Sequence, residues 1–341
     1  MKRFPHLVPV LGAAILLAAL CFIKPPDGSP ADVPIHRSDF LLNTFVDIAI
    51  YDSRDESILD GAMALCREYE NRFSRTLSGS EVYRLNHRED ATGTYPLSDD
   101  MTDLLATALY YCERSGGAFD ITTEPLSSLW NFSGTSPSVP PAEAIEEARK
   151  KVDYKKLRLD ETRSTLTFLD PGTSIDLGAI AKGYIADQLK AYLLDSGVES
   201  AMINLGGNVL CVGSRPDGTP FTVGLQKPFA DRNETFAQVE VSDLSVVASG
   251  VYERHFVEDG KNYHHILDPS TGYPYDNGLI SVTILSERSV DGDALSTTCF
   301  SLGLSRGMEL VESMDGVYAC FIDEDYQIHY SDGMEKFLRK D

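Results

Sequence analysis

Residues 176–187, which read DLGAIAKGYIAD, decide how this chain folds. Apolar residues follow at helical spacing up to Gly197, a residue type that commonly ends helices: Ile185, Leu189, Tyr192 and Leu193. Upstream, Thr165–Leu169 and Thr173–Leu177 alternate apolar and polar residues around Pro171-Gly172, a pattern that predicts a hairpin of two strands. The stretch is therefore predicted to join a strand to a helix.

Lys182 is the most informative residue of this junction. It falls in the first turn of the predicted helix, where the helix dipole disfavours a cation unless an anion lies close by. Gly178 and Ala179 carry little side chain there, so the amides of the helix start can reach a phosphate. An ordinary surface lysine is the alternative. The segment is not a P-loop, because Lys182 precedes Gly183 instead of following it.

Composition indicates a globular protein and excludes one class of partner. The chain has 341 residues, of which 43% are hydrophobic, and a formal net charge of −22. Nucleic acids and anionic membrane surfaces are bound by clustered Lys and Arg, so we expect no nucleic-acid partner. The six cysteines include no CxxC pair, and those within apolar helical patterns are expected to be buried thiols.

Residues 1–34 resemble an export segment. Lys2 and Arg3 precede an apolar run, Leu7 to Ile23, which is followed by a linker rich in Pro, Gly and Ser. This pattern predicts a signal peptide or an uncleaved membrane anchor, with residues 35–341 forming the folded domain outside the cytoplasm. Cys21 leaves open a lipid anchor, although Leu20 is bulky for the position before a lipidated cysteine.

The remaining patterns predict a mixed α+β fold with mixed or antiparallel sheets flanked by helices. The predicted strands include Phe40–Tyr51, a strand pair within Ser200–Gly213 and further strands from Phe221 to Val247, with a hairpin closing the chain. The predicted helices are Ile58–Phe73, Glu81–Leu85, Met101–Ser115 and Pro141–Val152. Between them, Gly117–Phe132 has neither periodicity, which favours a folded loop over a ligand wall.

Ser289–Gly303 is a second stretch with chemical potential. Asp291 or Asp293 would cap a helix there, which is the structural interpretation. Asp293 and Thr297 are also four residues apart, so their oxygens share one helical face and suit a hard cation such as Mg²⁺.

Three histidines, His255, His264 and His265, lie close in sequence but lack the spacing of a zinc site. One of them as a base or hydrogen-bond donor is the functional interpretation, and a structural histidine is the alternative.

Together, six motifs in one order are similar to those of the ApbE-type FAD:protein FMN transferases. They are GAFDIT, DLGAIAKGYIAD, NLGGN, ASGVYERHF, HHILDPSTGYP and DALSTTCFSLG, and the resemblance covers roughly residues 37 to 337. It implies an ApbE-like fold with the active site in a cleft between two lobes. It also implies Mg²⁺-dependent transfer of FMN from FAD to a Thr or Ser hydroxyl of a target protein, with release of AMP.

The resemblance further implies roles for individual residues. Ala179, Asp293 and Thr297 would bind the metal, with Ala179 contributing its carbonyl. His265 would activate the acceptor hydroxyl, and Lys182 would act on the diphosphate. The remaining residues match flavin-nucleotide contacts, with Leu42 standing where relatives often have a methionine: Leu42, Ala118, Phe119, Asp120, Asp176, Lys182 and Leu267.

Two alternatives to this function stay open at the level of sequence. The same site with water as the nucleophile would be an FAD pyrophosphatase, which yields free FMN and AMP. A non-catalytic exported FAD-binding protein is the other. For the transferase, the implied partner is an exported redox protein with a Thr or Ser flavinylation motif, such as a Ser/Thr-Gly-Ala-Thr-like segment.

Overall fold

A computed structural model describes residues 33–90, 92–231 and 233–340. The predicted export segment, residues 1–34, lies almost wholly outside the described residues. Within the part described, no helix is both long and apolar enough to span a membrane. From Pro34 onward the chain forms one compact unit.

The described chain contains seven α-helices and fifteen strands. The helices are α1 (Glu56–Phe73), α2 (Glu81–Asn86), α3 (Asp99–Arg114), α4 (Glu124–Trp130), α5 (Ala142–Arg149), α6 (Ala181–Asp195) and α7 (Ser289–Glu312). The first eight strands are β1 (Ile35–Leu41), β2 (Thr44–Ile50), β3 (Gly93–Pro96), β4 (Leu157–Asp160), β5 (Thr165–Phe168), β6 (Ala201–Leu205), β7 (Asn208–Val212) and β8 (Phe221–Gln226). The others are β9 (Thr235–Val241), β10 (Ser245–Gly250), β11 (His255–Glu258), β12 (Lys261–His264), β13 (Leu279–Ser286), β14 (Tyr318–Asp323) and β15 (Ile328–Tyr330).

An eight-stranded antiparallel sheet organises these elements, in the order β1-β2-β6-β7-β10-β13-β14-β15. Every residue of β13 is buried, because this strand is covered on both faces. The main core, which includes residues of α1, α3, α6 and α7, lies on one face, and the β8–β9 hairpin contributes to a smaller core on the other. The expected α+β class with antiparallel sheets and flanking helices is confirmed.

Helices α1, α2 and α3 begin at side chains that accept from their first turns. Asp55 accepts from the Ser57 amide, Ser80 from the Tyr83 amide and Ser98 from the Met101 amide. These residues satisfy amides that a helix start leaves without a partner. The expected helices are found with their ends shifted by a few residues.

The hairpin predicted around Pro171-Gly172 is wrong in its second strand. β5 is the middle strand of a three-stranded sheet, β3-β5-β4, whereas residues 173–177 form no strand. The Asn86 side chain explains this, because it accepts from the Ile175 amide and donates to the Ile175 carbonyl, each at 2.8 Å. It satisfies backbone groups that a partner strand would otherwise pair.

Two further predictions are corrected by the structure. Phe40–Tyr51 is not one strand, because Leu42 and Asn43 adopt φ angles of 56° and 55° and form the turn between β1 and β2. Residues 117–132 are not only a loop, since they contain α4, whose Trp130 is buried and donates from Nε1 to the Gly272 carbonyl at 2.8 Å.

Candidate active site

Helices α6 and α7 come together at Gly183. A Cβ atom at this position would lie 2.3 Å from the Ser289 carbonyl oxygen and 2.6 Å from the Val290 Cα atom. Any larger residue would therefore push the two backbones apart. Gly183 lets the start of α6 lie directly against the start of α7.

The ammonium group of Lys182 meets the carboxylate of Asp293 at this contact. Lys182 Nζ lies 3.0 Å from Asp293 Oδ1, and the Gly183 amide donates to Asp293 Oδ2 at 2.9 Å. The side chain of Asp293 is only 5% exposed, whereas that of Lys182 is 27% exposed and can reach a ligand from solvent. The anion expected beside Lys182 is thus Asp293, 111 residues further along the chain.

Three hydroxyl groups meet between β10 and α7, in the turn of α7 that follows Asp293. The Ser249 hydroxyl lies 2.8 Å from the Ser296 hydroxyl and 3.1 Å from that of Thr297. The Gly183 amide donates to Asp293 and not to the carbonyl of Ala179, which lies just before the start of α6.

These donors fit a magnesium ion. Mg²⁺ prefers oxygen and takes only one or two protein carboxylates, with the rest of its shell from phosphate and water. Within the described residues no group of three His, Cys, Asp or Glu side chains is arranged to hold a metal. A site built on Asp293, a hydroxyl and a carbonyl is of the sparse kind that suits a phosphate-bound Mg²⁺.

His265 follows the last residue of β12, and its amide donates to the Arg254 carbonyl at 3.0 Å. Burial lowers the pKa of His265 to about 3, and the positive charges of Arg254 and Lys182 act in the same direction. Its Nδ1 atom is buried and has no hydrogen-bond partner among the described residues. The imidazole is therefore neutral at physiological pH, with a polar atom that a ligand could satisfy.

Asp176 is tied to Arg75. Arg75 Nε lies 3.2 Å from Asp176 Oδ2. Its Nη1 atom donates to the Ser128 hydroxyl at 3.0 Å and lies 3.7 Å from Glu124 Oε1. The other oxygen of Asp176 accepts from the Gly178 amide at 3.0 Å. Arg75 therefore joins the end of α1 to α4 and to the approach of α6.

The Ala118-Phe119-Asp120 segment is built into the core. Asp120 accepts from the Thr122 amide at 2.7 Å, the Thr122 hydroxyl at 2.6 Å and the Tyr154 amide at 2.9 Å. Burial raises the pKa of Asp120 in spite of these bonds. Phe119 is 4% exposed, and the Ala118 carbonyl accepts from the Tyr275 hydroxyl. These bonds show Asp120 bracing a loop.

Leu42 and Leu267 belong to different apolar clusters. Leu42 is half-buried against the main core, and its amide donates to Glu70 Oε1 at 2.8 Å. Leu267 is buried with Trp130 in a separate cluster. A role for either residue in flavin binding stays a prediction.

Among the residues predicted from sequence, the structure joins Lys182 to Asp293 directly. Three residues that were not predicted bond to this part of the structure. Arg75 pairs with Asp176, Asp187 accepts from the first turn of α7, and Ser249 bonds to Thr297. The basic pair Arg72 and Arg75 at the end of the first helix was the only sequence signal for Arg75. Asp187 replaces Asp291 and Asp293 as the side chain at the start of α7, where it accepts from the Ser289 and Val290 amides.

Comparison with known proteins places this arrangement in a family. The sequence profile of the ApbE family matches residues 42–322, so the chain belongs to the ApbE family. It is 38% identical over 278 residues to a FAD:protein FMN transferase of Klebsiella pneumoniae, covering 81% of this chain and 85% of that protein. It is 32% identical over 344 residues to one of Treponema pallidum, covering 95% and 94%.

Solved structures give the same result. A crystal structure of the ApbE protein of Thermotoga maritima superposes with a TM-score of 0.81 at 32% identity, covering 90% of this chain and 100% of that one. The flavin transferase ApbE of Vibrio cholerae superposes with a TM-score of 0.80 at 27% identity, covering 89% and 99%. The likeness thus extends over nearly all of the described fold.

Proposed function

We propose that this chain is a FAD:protein FMN transferase that attaches FMN to a Thr or Ser hydroxyl of a target protein. The hydroxyl oxygen attacks the phosphorus of the FMN half, the bond from that phosphorus to the AMP half breaks, and AMP leaves. The observation that carries the proposal is the meeting of Lys182 and Asp293 at the start of α6, in a chain whose relatives bear this name.

The start of α6 supplies groups that attract a diphosphate. Lys182 is partly exposed, and the hydrogen bonds of the described residues leave the Ala179 and Lys182 amides without an acceptor. Amides and an ammonium group held in place before the substrate arrives stabilise the charge that develops on phosphate oxygens.

Asp293, Thr297 and the Ala179 carbonyl are the groups that would hold Mg²⁺. When bound, the ion neutralises charge on the diphosphate. Both carboxylate oxygens of the buried Asp293 face residues at the start of α6.

His265 is proposed to take the proton of the attacking hydroxyl. Its neutral imidazole carries a lone pair that can accept a hydrogen bond and then the proton. Burial, with a small contribution from the positive charge of Lys182, keeps this ring neutral.

We also propose an exported redox protein as the acceptor. The acidic chain, with its net charge of −22, would work outside the cytoplasm, held at the membrane by residues 1–34 as an anchor or through a lipid on Cys21. This location rests on the sequence pattern of those residues alone.

A transfer assay tests the function directly. The protein is incubated with FAD, MgCl₂ and an acceptor polypeptide that carries a Ser/Thr-Gly-Ala-Thr-like segment. Intact mass then shows whether the acceptor gains FMN, and chromatography measures AMP. Covalent FMN and AMP in equal amounts, lost on addition of EDTA, are expected. Free FMN with AMP would show a pyrophosphatase, and FAD bound without AMP would show a binding protein.

The Asp293→Asn variant is expected to transfer FMN at least about a hundredfold more slowly, because it loses the buried charge of the site. Asp291→Asn on the same helix is the matched control and should keep most of the activity. Near-normal transfer by Asp293→Asn with Mg²⁺ would remove Asp293 from the metal site.

A further inference from the structure

The first turn of α7 is held by a residue of α6. The Ser289 amide donates to Asp187 Oδ1 at 2.8 Å, and the Val290 amide donates to Asp187 Oδ2 at 2.9 Å. Arg288, which precedes the helix, makes no capping bond with its side chain. Asp187 therefore satisfies two of the amides that a helix start leaves unpaired, from a different element.

A second set of bonds holds the same turn from the sheet side. The Ser289 hydroxyl donates to Asn208 Oδ1 at 2.8 Å and accepts from the Ser245 hydroxyl at 2.9 Å. All three residues are buried. Asn208 ends the NLGGN motif, so this motif also serves the start of α7.

Two sets of hydrogen bonds, or rungs, connect α6 and α7. Asp187 of α6 accepts from the first turn of α7, and Asp293, one turn further along α7, accepts from Lys182 and Gly183, one turn earlier on α6. The close approach at Gly183 links the two rungs, because Gly183 belongs to one and the Ser289 and Val290 backbone to the other. Because the two sets of bonds lie one helical turn apart on α7, a displacement of its first turn would also move Asp293.

We infer that Asp187 is a positioning residue for the cation site and acts through Asp293 and Thr297 without touching substrate. The inference rests on the proposed function only in taking these two residues as ligands of a divalent cation. Residues that orient metal ligands through hydrogen bonds commonly change metal affinity by about ten- to a hundredfold when they are removed.

Mn²⁺ binding measured by calorimetry on the purified chain tests this, with no acceptor or FAD present. Asp187→Ala is expected to weaken Mn²⁺ binding by about ten- to a hundredfold, and Asp187→Asn, which keeps one accepting oxygen, by less. Asp195→Asn, an exposed change on the same helix, is the matched control and should bind as the wild type does. Wild-type affinity in a folded Asp187→Ala variant would overturn the inference, as would a wild-type chain that binds no Mn²⁺.

Hydrogen exchange on the unmodified protein gives an answer that needs no variant to fold. The Val290 amide should exchange as slowly as the Leu295 amide in the middle of the same helix. Fast exchange, as at a frayed helix end, would overturn the role of Asp187. An absence of FMN transfer would contradict only the proposed function, because neither measurement involves flavin.

Discussion

At the scale of single residues, the unfavourable position of the Lys182 charge in a first helical turn could be recognised from sequence. Its pairing with Asp293 could not. A lysine in a first helical turn opposes the helix dipole, which signals a nearby anion. Asp293 was predicted from its own spacing to Thr297. Arg75 and Asp187 were missed because their partners lie far along the chain, and no local pattern marks such pairs.

Replacing Lys182 with Met should raise the KM for FAD and lower kcat, together by about a hundredfold in kcat/KM, because an ammonium group is lost from the diphosphate. Lys190→Met is the matched control, since Lys190 lies on the same helix and pairs with Asp243 at 2.8 Å, away from Asp293. Steady-state kinetics with varied FAD measures both. Equal kinetics for the two variants would contradict the role of Lys182.

Replacing His265 with Gln should lower kcat by roughly a hundredfold and leave FAD affinity nearly unchanged, because a base acts on the acceptor hydroxyl and not on FAD binding. His255→Gln is the control, because His255 is exposed and its Nδ1 atom bonds to the Asn262 side chain at 2.7 Å. FAD binding followed by fluorescence, beside the transfer rate, separates the two effects. A matching loss of FAD affinity would show that His265 binds substrate instead.

At the scale of elements, periodicity predicted the helices better than the extended segments. α6 was expected because its apolar residues recur at helical spacing, whereas α7 was expected because Asp291 or Asp293 could cap a helix. The strand predicted for residues 173–177 failed because the Asn86 side chain satisfies the Ile175 backbone. α4 was missed because its apolar Leu126 and Trp130 are covered by other elements, in a stretch too short to show a period.

The α6–α7 contact predicts that replacing two helical glycines with alanine will destabilise the protein by different amounts. Gly183→Ala should lower the free energy of unfolding by about 1–3 kcal/mol, since its Cβ would meet backbone atoms of α7. Gly61→Ala in α1 should change it by less than about 1 kcal/mol, because the Cβ would meet only the mobile end of Tyr192. Urea denaturation measures the free energy of unfolding of both variants. Similar losses would show that α7 can move away from residue 183 to accommodate a methyl group.

At the scale of the whole molecule, the mixed α+β class could be predicted, but not the sheet order, and the export segment of residues 1–34 stays a prediction. β10 and β13 are joined only after a long excursion through β11 and β12, and antiparallel strand patterns do not say which strands will be neighbours. The excursion brings the buried His264 ring to 5.8 Å from the ring of Phe300 in the main core.

Buried His264 predicts a loss of stability in acid. Burial lowers the pKa of His264 from 6.5 to about 4, and the neutral ring accepts from the Ile266 amide at Nδ1 and bonds to the Tyr275 carbonyl through Nε2. Below pH 6.5 the His264 ring is protonated in the unfolded chain but stays neutral in the folded chain. The free energy of unfolding therefore falls as pH drops toward 4.

His264→Gln removes this dependence. The wild type should lose up to roughly 3 kcal/mol more than the variant between pH 6.5 and 4. Comparing the two proteins removes the pH dependence that other groups contribute equally to both. Asp187 is one such group: burial raises its pKa to about 6, so its effect on the free energy of unfolding is opposite to that of His264. Parallel stability curves for the two proteins would contradict a neutral His264.

The five cysteines of the described part are all free and buried. Burial raises the pKa of their thiols, to about 12 for Cys66, Cys211, Cys299 and Cys320. Disulfide exchange and oxidation of cysteine proceed through the thiolate, and these buried thiols stay protonated and out of contact with solvent. Among the described residues, the fold therefore holds no disulfide that an oxidant must form or that a reductant could break.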